Sequence, residues 1–381
     1  MRTTKLIVPA FLLIVILSGC WDRNEINDYA FWIGSGTDLA KDGAIQVSAQ
    51  IAIPSQFLKK KGGEGASGKG NIVISATGKS IVETINKLQE KLPRRIFIGH
   101  RRAIFFGENL ARRGIKDIVD QYTRNSDTRL KTDIFVVQDG EGKDALEINS
   151  PFSQFSAIAA VDQDRFCRIG DVALRDFFLD ATSQGIRPVM PVIKLSPQKQ
   201  NQEKIFLIES LAVFNKDLKM TGFLGRMETL QSLWVKGILK DKYLTQSIGS
   251  GRYSLYVSNL KSTIITHINQ DKITVEVQLS GKGRLLESQS SADLSKSEIL
   301  KDINRKLNKK EKEKIEKTIK IVQEKYGQDI FGFGEALHRQ HPYQWKSLKD
   351  NWDRIFPNLR VTVHVDIQIM RVGNLGKRLI Q

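Results

Sequence analysis

Apolar and polar positions alternate most regularly in two stretches near the C-terminus. Ile273, Val275, Val277 and Leu279 form one; Val361, Val363, Val365, Ile367 and Ile369 form the other. A period of two puts every second side chain on the same face, so each stretch predicts a strand packed on one face and solvated on the other, as in antiparallel sheets. Ile45, Val47, Ala49, Ile51 and Ile53 repeat the pattern after the hairpin signal Asp42-Gly43. Shorter apolar runs predict strands at 72–75, 103–106, 133–138 and 206–214, the last followed by a turn at Asn215 to Lys219. Helical spacing recurs at Ile81, Ile85, Leu88 and Leu92 behind a Ser80/Glu83 capping box, and further helices are expected near 109–123, 171–182 and 226–236.

The longest predicted helix is 297–326, opened by Ser295 and Glu298 as a second capping box. Leu300, Ile303, Leu307, Ile315, Ile319, Val322 and Tyr326 line one stripe, and Glu311 takes the single core seat without an apolar residue. At 1.5 Å per residue this helix is about 45 Å long, enough to brace a sheet. The order of strands and helices shows no βαβ alternation, which predicts an α+β fold. Two stretches punctuate the chain. Residues 59–70 (KKKGGEGASGKG) lack periodicity and read as a mobile loop, and Arg187-Pro188-Val189-Met190-Pro191 precedes a polar segment at 196–204. The expected units are an N-terminal α+β domain at 20–195, a middle domain at 205–250 and a C-terminal α+β domain at 251–381.

The extreme N-terminus has another logic. Arg2 and Lys5 precede twelve apolar residues, Leu6 to Leu17, and Leu17-Ser18-Gly19-Cys20 closes the run. Twelve residues fall short of the ~17 that a spanning helix needs, so residues 1–19 read as an export signal. Small residues directly before a cysteine resemble the lipobox of bacterial lipoproteins, which implies cleavage between Gly19 and Cys20 and a diacylglyceryl group on Cys20. The mature chain is then tethered outside the cytoplasmic membrane.

Charge fits that placement. The 381 residues include 59 Lys plus Arg against 42 Asp plus Glu, a formal +17 that loss of Arg2 and Lys5 lowers by two. Such a balance favours polyanionic partners, and outside the cell the anionic membrane surface replaces nucleic acid in that role. Two cysteines exclude a disulfide framework, and Cys167, without a flanking nucleophile motif, is expected as a small buried hydrophobe. Gly63-Glu64-Gly65-Ala66-Ser67-Gly68 matches GxGxxG but precedes a strand rather than a helix. Gly78-Lys79-Ser80 lacks the earlier glycine of a phosphate loop, which leaves Ser80 as an N-cap. His338 and His341 are one helical turn apart with no third ligand beside them, and His364 falls on the polar face of its strand. No catalytic residue, metal site or cofactor is therefore expected. From Lys301 to Lys325 ten basic and five acidic residues form a solvated helix face, with Lys309 and Lys312 as candidate contacts to anionic headgroups or an acidic partner.

Cys20-Trp21-Asp22-Arg23-Asn24-Glu25-Ile26-Asn27-Asp28 resembles the mature start of the C subunits of spore germinant receptors, the Ger(x)C lipoprotein family. The resemblance continues through Gly99-His100-Arg101-Arg102, through Ala212-Val213-Phe214 with Gly222 and Leu224, and through Pro342, Trp345, Trp352-Asp353 and Phe356-Pro357. It implies three α+β domains of antiparallel or mixed sheets in an elongated arrangement. It also implies a non-enzymatic, lipid-anchored scaffold or coupling subunit on the outer face of the spore inner membrane. Two integral membrane subunits would be its partners, and nutrient binding would be left mainly to them. The rival class, a stand-alone extracytoplasmic solute-binding lipoprotein, predicts two similar α/β lobes around a cleft.

Overall fold

The computed structural model describes Glu25 and residues 28–53, 70–197 and 204–371, apart from positions 126, 168, 170, 171, 271, 291 and 295. The signal segment, Cys20, Ser295 and nearly all of loop 59–70, including its GxGxxG match, lie outside the described residues. Two sheets carry the fold. Strands β1 (Tyr29–Leu39), β2 (Ile45–Ala52), β3 (Asn71–Gly78), β4 (Arg95–Phe97), β5 (Ala103–Gly107), β6 (Asp133–Gln138), β7 (Val189–Pro197), β8 (Lys204–Phe214) and β9 (Met220–Phe223) make the first. Its order is β3-β2-β1-β5-β6-β7-β8-β9, with β4 beside the start of β1. The centre, β1, β5, β6 and β7, is parallel, and antiparallel strands flank it on both sides.

That parallel centre departs from the expected lack of βαβ alternation. The crossovers are built from short helices: α1 (Ile81–Gln89), α2 (Glu108–Arg113), α3 (Lys116–Arg124), α4 (Gly142–Glu147), α5 (Ser156–Cys167) and α6 (Leu174–Thr182). The predicted helix at 109–123 is broken at Gly114, whose φ of +121° no ordinary helical residue adopts. Residues of α2, α3 and α6 pack with Ile104, Phe106, Ile134 and Val136 on one face, while α4 and α5 pack with Phe105, Phe135 and Val137 on the other. With both faces covered, β2 is buried on both sides. Ser48 bonds Ser75 (2.8 Å), and Gln50 donates to the Leu146 carbonyl (3.0 Å) to satisfy the polar face.

The second sheet is β10 (Lys242–Ile248), β11 (Gly251–Asn269), β12 (Lys272–Gln289) and β13 (Arg360–Arg371), in that order. Its first three strands are antiparallel, but β13 runs parallel to β12. The reason is α8 (Ser297–Ile321), which crosses over between them and returns the chain to the same end of the sheet. The alternation holds as one buried and one open face: Val275, Val277, Leu279, Val363 and Ile367 are buried under α8, and Gln278, His364 and Gln368 are exposed. Helix α8 ends in a π turn over Val322–Tyr326 that stops at Gly327, so the helical path spans the expected 297–326. Asn308 on α8 both accepts from the Ile367 N–H (2.9 Å) and donates to its carbonyl (3.2 Å), covering the free edge of β13.

Residues 205–250, expected as a middle domain, are divided between the sheets. They give β8 and β9 to the first and β10 to the second, with α7 (Arg226–Val235) between. Helix α7 touches β8 on one side and α8, β11 and β12 on the other. Its buried Leu233, Trp234 and Val235 belong to one continuous apolar core that runs from Phe105 to Ile367. The two sheets differ in strand number and order, unlike the paired lobes of the solute-binding alternative.

Candidate functional site

Glu311 sits where the apolar stripe of α8 has its gap, fully buried. The gap has a partner: Lys242 at the start of β10 donates to Glu311 Oε2 at 2.7 Å, and Lys314 reaches Oε1 at 2.9 Å. The Lys242 ammonium also lies 4.3 Å from the centre of the Trp234 ring on α7. Burial alone would raise the Glu311 carboxyl; Lys242 and Lys314 outweigh it and hold the group below its usual range. The cluster fixes three elements, α7, α8 and β10, at one register.

A second polar seam joins the sheets directly. The Arg187-Pro188 segment, expected only as a boundary, runs against the residues after α8 and against α9 (Phe333–Gln340). Arg187 is almost completely buried and grips Asp353 with two bonds from one nitrogen, at 2.6 and 2.8 Å, while its backbone N–H donates to the Asp329 carbonyl at 2.7 Å. Asp329 in turn accepts four backbone N–H bonds, from Phe331, Gly332, Phe333 and Gly334, and one from the Trp352 indole at 3.0 Å. Burial raises its pKa, and the bonds from Gly334, Trp352, Phe333 and Gly332 oppose the rise. Gly185 and Gly334 meet backbone to backbone; a Cβ on Gly185 would lie 2.5 Å from the Gly334 carbonyl carbon. Ser183 bonds Glu335 across the same seam, and the Tyr326 hydroxyl donates to the Phe223 carbonyl on β9 at 2.5 Å.

Lys309 and Lys312 lie beside this framework, in an open groove of about 530 Å³ between α8 and the sheet, with Lys261, Asn308, His364 and Asp366 among its lining residues. Lys309 is exposed, and Lys312 approaches Glu316 at 3.7 Å. Its charged lining is three lysines, Lys261, Lys309 and Lys312, against Asp366, an excess of positive charge that suits an acidic surface. Other sequence candidates resolve simply. Ser80 caps α1 by accepting from Glu83 N–H (3.2 Å), and Glu83 accepts from Lys79 N–H instead of closing back on Ser80. His341 contacts the Thr266 carbonyl at 2.9 Å and His338 stacks on Trp345, so the two imidazoles point to different partners. Among the described residues no group of three or more His, Cys, Asp or Glu converges as a metal site.

Cys167 corrects its expectation: it is exposed at the last position of α5, whose buried face is carried by Ser156, Ala157, Ala160, Val161 and Asp164. Partial burial and the neighbouring Asp164 push its thiol above the usual value, the opposite of an activated nucleophile. Sequence reasoning found the Glu311 seat but not Lys242, which is 69 positions away, and missed the Arg187–Asp353 pair across 166. A charged residue inside an apolar stripe was the one available signal.

This architecture matches known proteins over most of its length. A family model described as the spore germination protein N-terminal domain fits residues 22–195, and one described as spore germination B3/GerAC-like, C-terminal, fits residues 209–373. The chain belongs to this family of spore germination proteins. It is 30% identical to the putative spore germination protein YfkR of Bacillus subtilis (strain 168), covering 98% of each chain, and 24% identical to spore germination protein KC of the same organism, over 98% of this chain and 96% of the relative. The crystal structure of the GerBC protein matches with a TM-score of 0.61 at 17% identity, over 92% of this chain and 100% of that one, so the fold is shared. Among the described residues no helix is long and apolar enough to cross a membrane.

Proposed function

We propose that this chain is a non-enzymatic, lipid-anchored subunit of a nutrient germinant receptor, coupling two integral membrane subunits on the outer face of the spore inner membrane. Family membership supports the receptor role, and Leu17-Ser18-Gly19-Cys20 supports attachment through a diacylglyceryl group on Cys20. The observation that carries coupling is the seam. Arg187, Asp329 and Asp353 join two sheets that already share a core, so a displacement at one sheet is passed to the other instead of being absorbed by a linker. Tethering holds the chain in a thin layer above the bilayer, where a weak interface is well occupied because the local concentration of membrane partners is about millimolar.

Lys309 and Lys312 are the proposed contact to an acidic partner loop or to headgroups. Lys309 is exposed and Lys312 half-buried outside the apolar core, so replacing them should leave the fold intact. Lys309→Glu with Lys312→Glu should lower recovery of the membrane subunits and slow the nutrient response while leaving the far-ultraviolet spectrum and unfolding midpoint unchanged. Parental recovery and parental germination would reduce α8 to a brace with a solvated face.

A further inference from the structure

At the start of β1 the outward face is apolar as well as the inward one. Ala30 and Trp32 point into the core with Ile98, yet the alternate positions Tyr29, Phe31 and Phe97 turn outward where a strand ordinarily carries polar residues. Parallel pairing of Tyr29 with Arg95 and of Phe31 with Phe97 brings the rings together. Tyr29 and Phe97 are 5.5 Å apart, Phe31 and Phe97 5.8 Å, and exposed His100 closes the group at 5.3 Å from Phe97. Phe97 remains 37% exposed. Exposed Arg95 is the pairing partner of Tyr29, exposed Arg94 precedes it, and exposed Arg102 follows His100 by two residues, against the exposed acids Glu90 and Asp28.

We propose that this aromatic and basic patch rests on the surface of an anionic lipid bilayer. The inference rests on the lipid-anchor reading of Cys20. Tyr29 follows Cys20 by nine residues, a span of roughly 30 Å at most, so an acylated Cys20 keeps this end of β1 within reach of the headgroups. Aromatic side chains partition to the headgroup level, and clustered Lys and Arg are drawn to anionic lipid. One acyl-bearing residue fixes distance but not orientation; the patch would set which face of the first sheet lies down.

The test uses the lipid-modified full chain with Cys167→Ser, bound to protein-free vesicles containing a nitroxide-labelled lipid. An environment-sensitive fluorophore is placed at Pro93→Cys beside the patch or at Lys41→Cys, an exposed site beyond the far end of the 11-residue β1. In phosphatidylglycerol vesicles, quenching at position 93 should exceed that at 41 several-fold. The contrast should collapse in phosphatidylcholine vesicles and in Arg94→Glu/Arg95→Glu, which alters only exposed side chains. Equal quenching at the two sites in vesicle-bound chain would overturn the proposal, leave the anchor standing and assign the patch to a protein partner. A contrast indifferent to lipid charge and to the Arg94/Arg95 variant would overturn the anionic-surface assignment. A chain that fails to associate with vesicles at all would overturn the anchor reading and the proposal together.

Discussion

Glu311 in the second unit and Asp38 in the first are both buried carboxylates, and their surroundings treat them in opposite ways. Glu311 has two ammonium partners and is held below the usual carboxylate range. Asp38, at the end of β1, has only backbone: it accepts from Gly142 N–H at 2.6 Å and Lys143 N–H at 3.1 Å at the start of α4. Burial pushes Asp38 up to about 7, against those two bonds and with Glu141 and Asp144 nearby. The contrast is between a buried carboxylate locked by charge and one, held by backbone alone, that is pushed up to about 7.

The linkage signs differ accordingly. Glu311, depressed in the folded state, contributes stability at neutral pH that is lost as pH falls through its lowered pKa. Asp38 is raised, so between about pH 4 and 7 the folded chain holds a proton that the unfolded chain has released; its contribution is full in acid and is lost as pH rises through that window.

The largest break in this contrast should come from Lys242→Met. It leaves Glu311 buried with reduced compensation, and urea unfolding should show a loss of about 3–5 kcal/mol. Adding Glu311→Leu should restore most of it. A single variant within 0.5 kcal/mol of the parent, in that order-of-magnitude sense, would show the pair to be incidental.

Next is Arg187→Ala at the seam, with an expected cost of about 1.5–3 kcal/mol because a charged hydrogen-bonded pair is lost while Asp353 regains water. Tryptophan fluorescence and far-ultraviolet unfolding curves should coincide in the parent and separate in the variant as the sheets uncouple. Coincident curves in the variant would show that the shared core alone does the coupling.

A smaller effect is expected from Asp38→Asn, which should flatten the fall in stability from pH 5 to 7. Asp38's own share of the slope there approaches but does not exceed about 1.4 kcal/mol per pH unit, the limit for one proton. An unchanged slope would place the titration elsewhere.

The smallest is Cys167→Ser, expected within about 0.5 kcal/mol of the parent and indifferent to reductant, because the thiol is free and exposed.

What the sequence disclosed followed from periodicity. Residues 133–138 were bounded correctly as β6, and α8 was placed to its last turn, because each has one dominant face or one continuous apolar run. Strand β1 is silent: YAFWIGSGTDL has no alternation because from Gly34 to Asp38 it is covered on both faces and its glycines admit helix backbone, as where Gly36 meets Gly142. Strand β7, VMPVIKLSP, was read as punctuation because of its prolines, although Pro191 is seated in the pairing with β8. The parallel placement of β13 was invisible to alternation, which reports faces and not direction. The seam and the ion pair were out of reach for another reason: each joins residues far apart in the chain, and one sequence does not show which distant charges meet.

The proposed receptor role requires that this chain work together with membrane partners and not alone. Affinity capture of the native protein from detergent-solubilised spore membranes, with mass identification of what travels with it, tests that directly. Two multi-span membrane proteins should be recovered in constant proportion, and should be lost when Cys20→Ala leaves the chain without its anchor. Recovery of the chain by itself from intact, nutrient-responsive spores would contradict it.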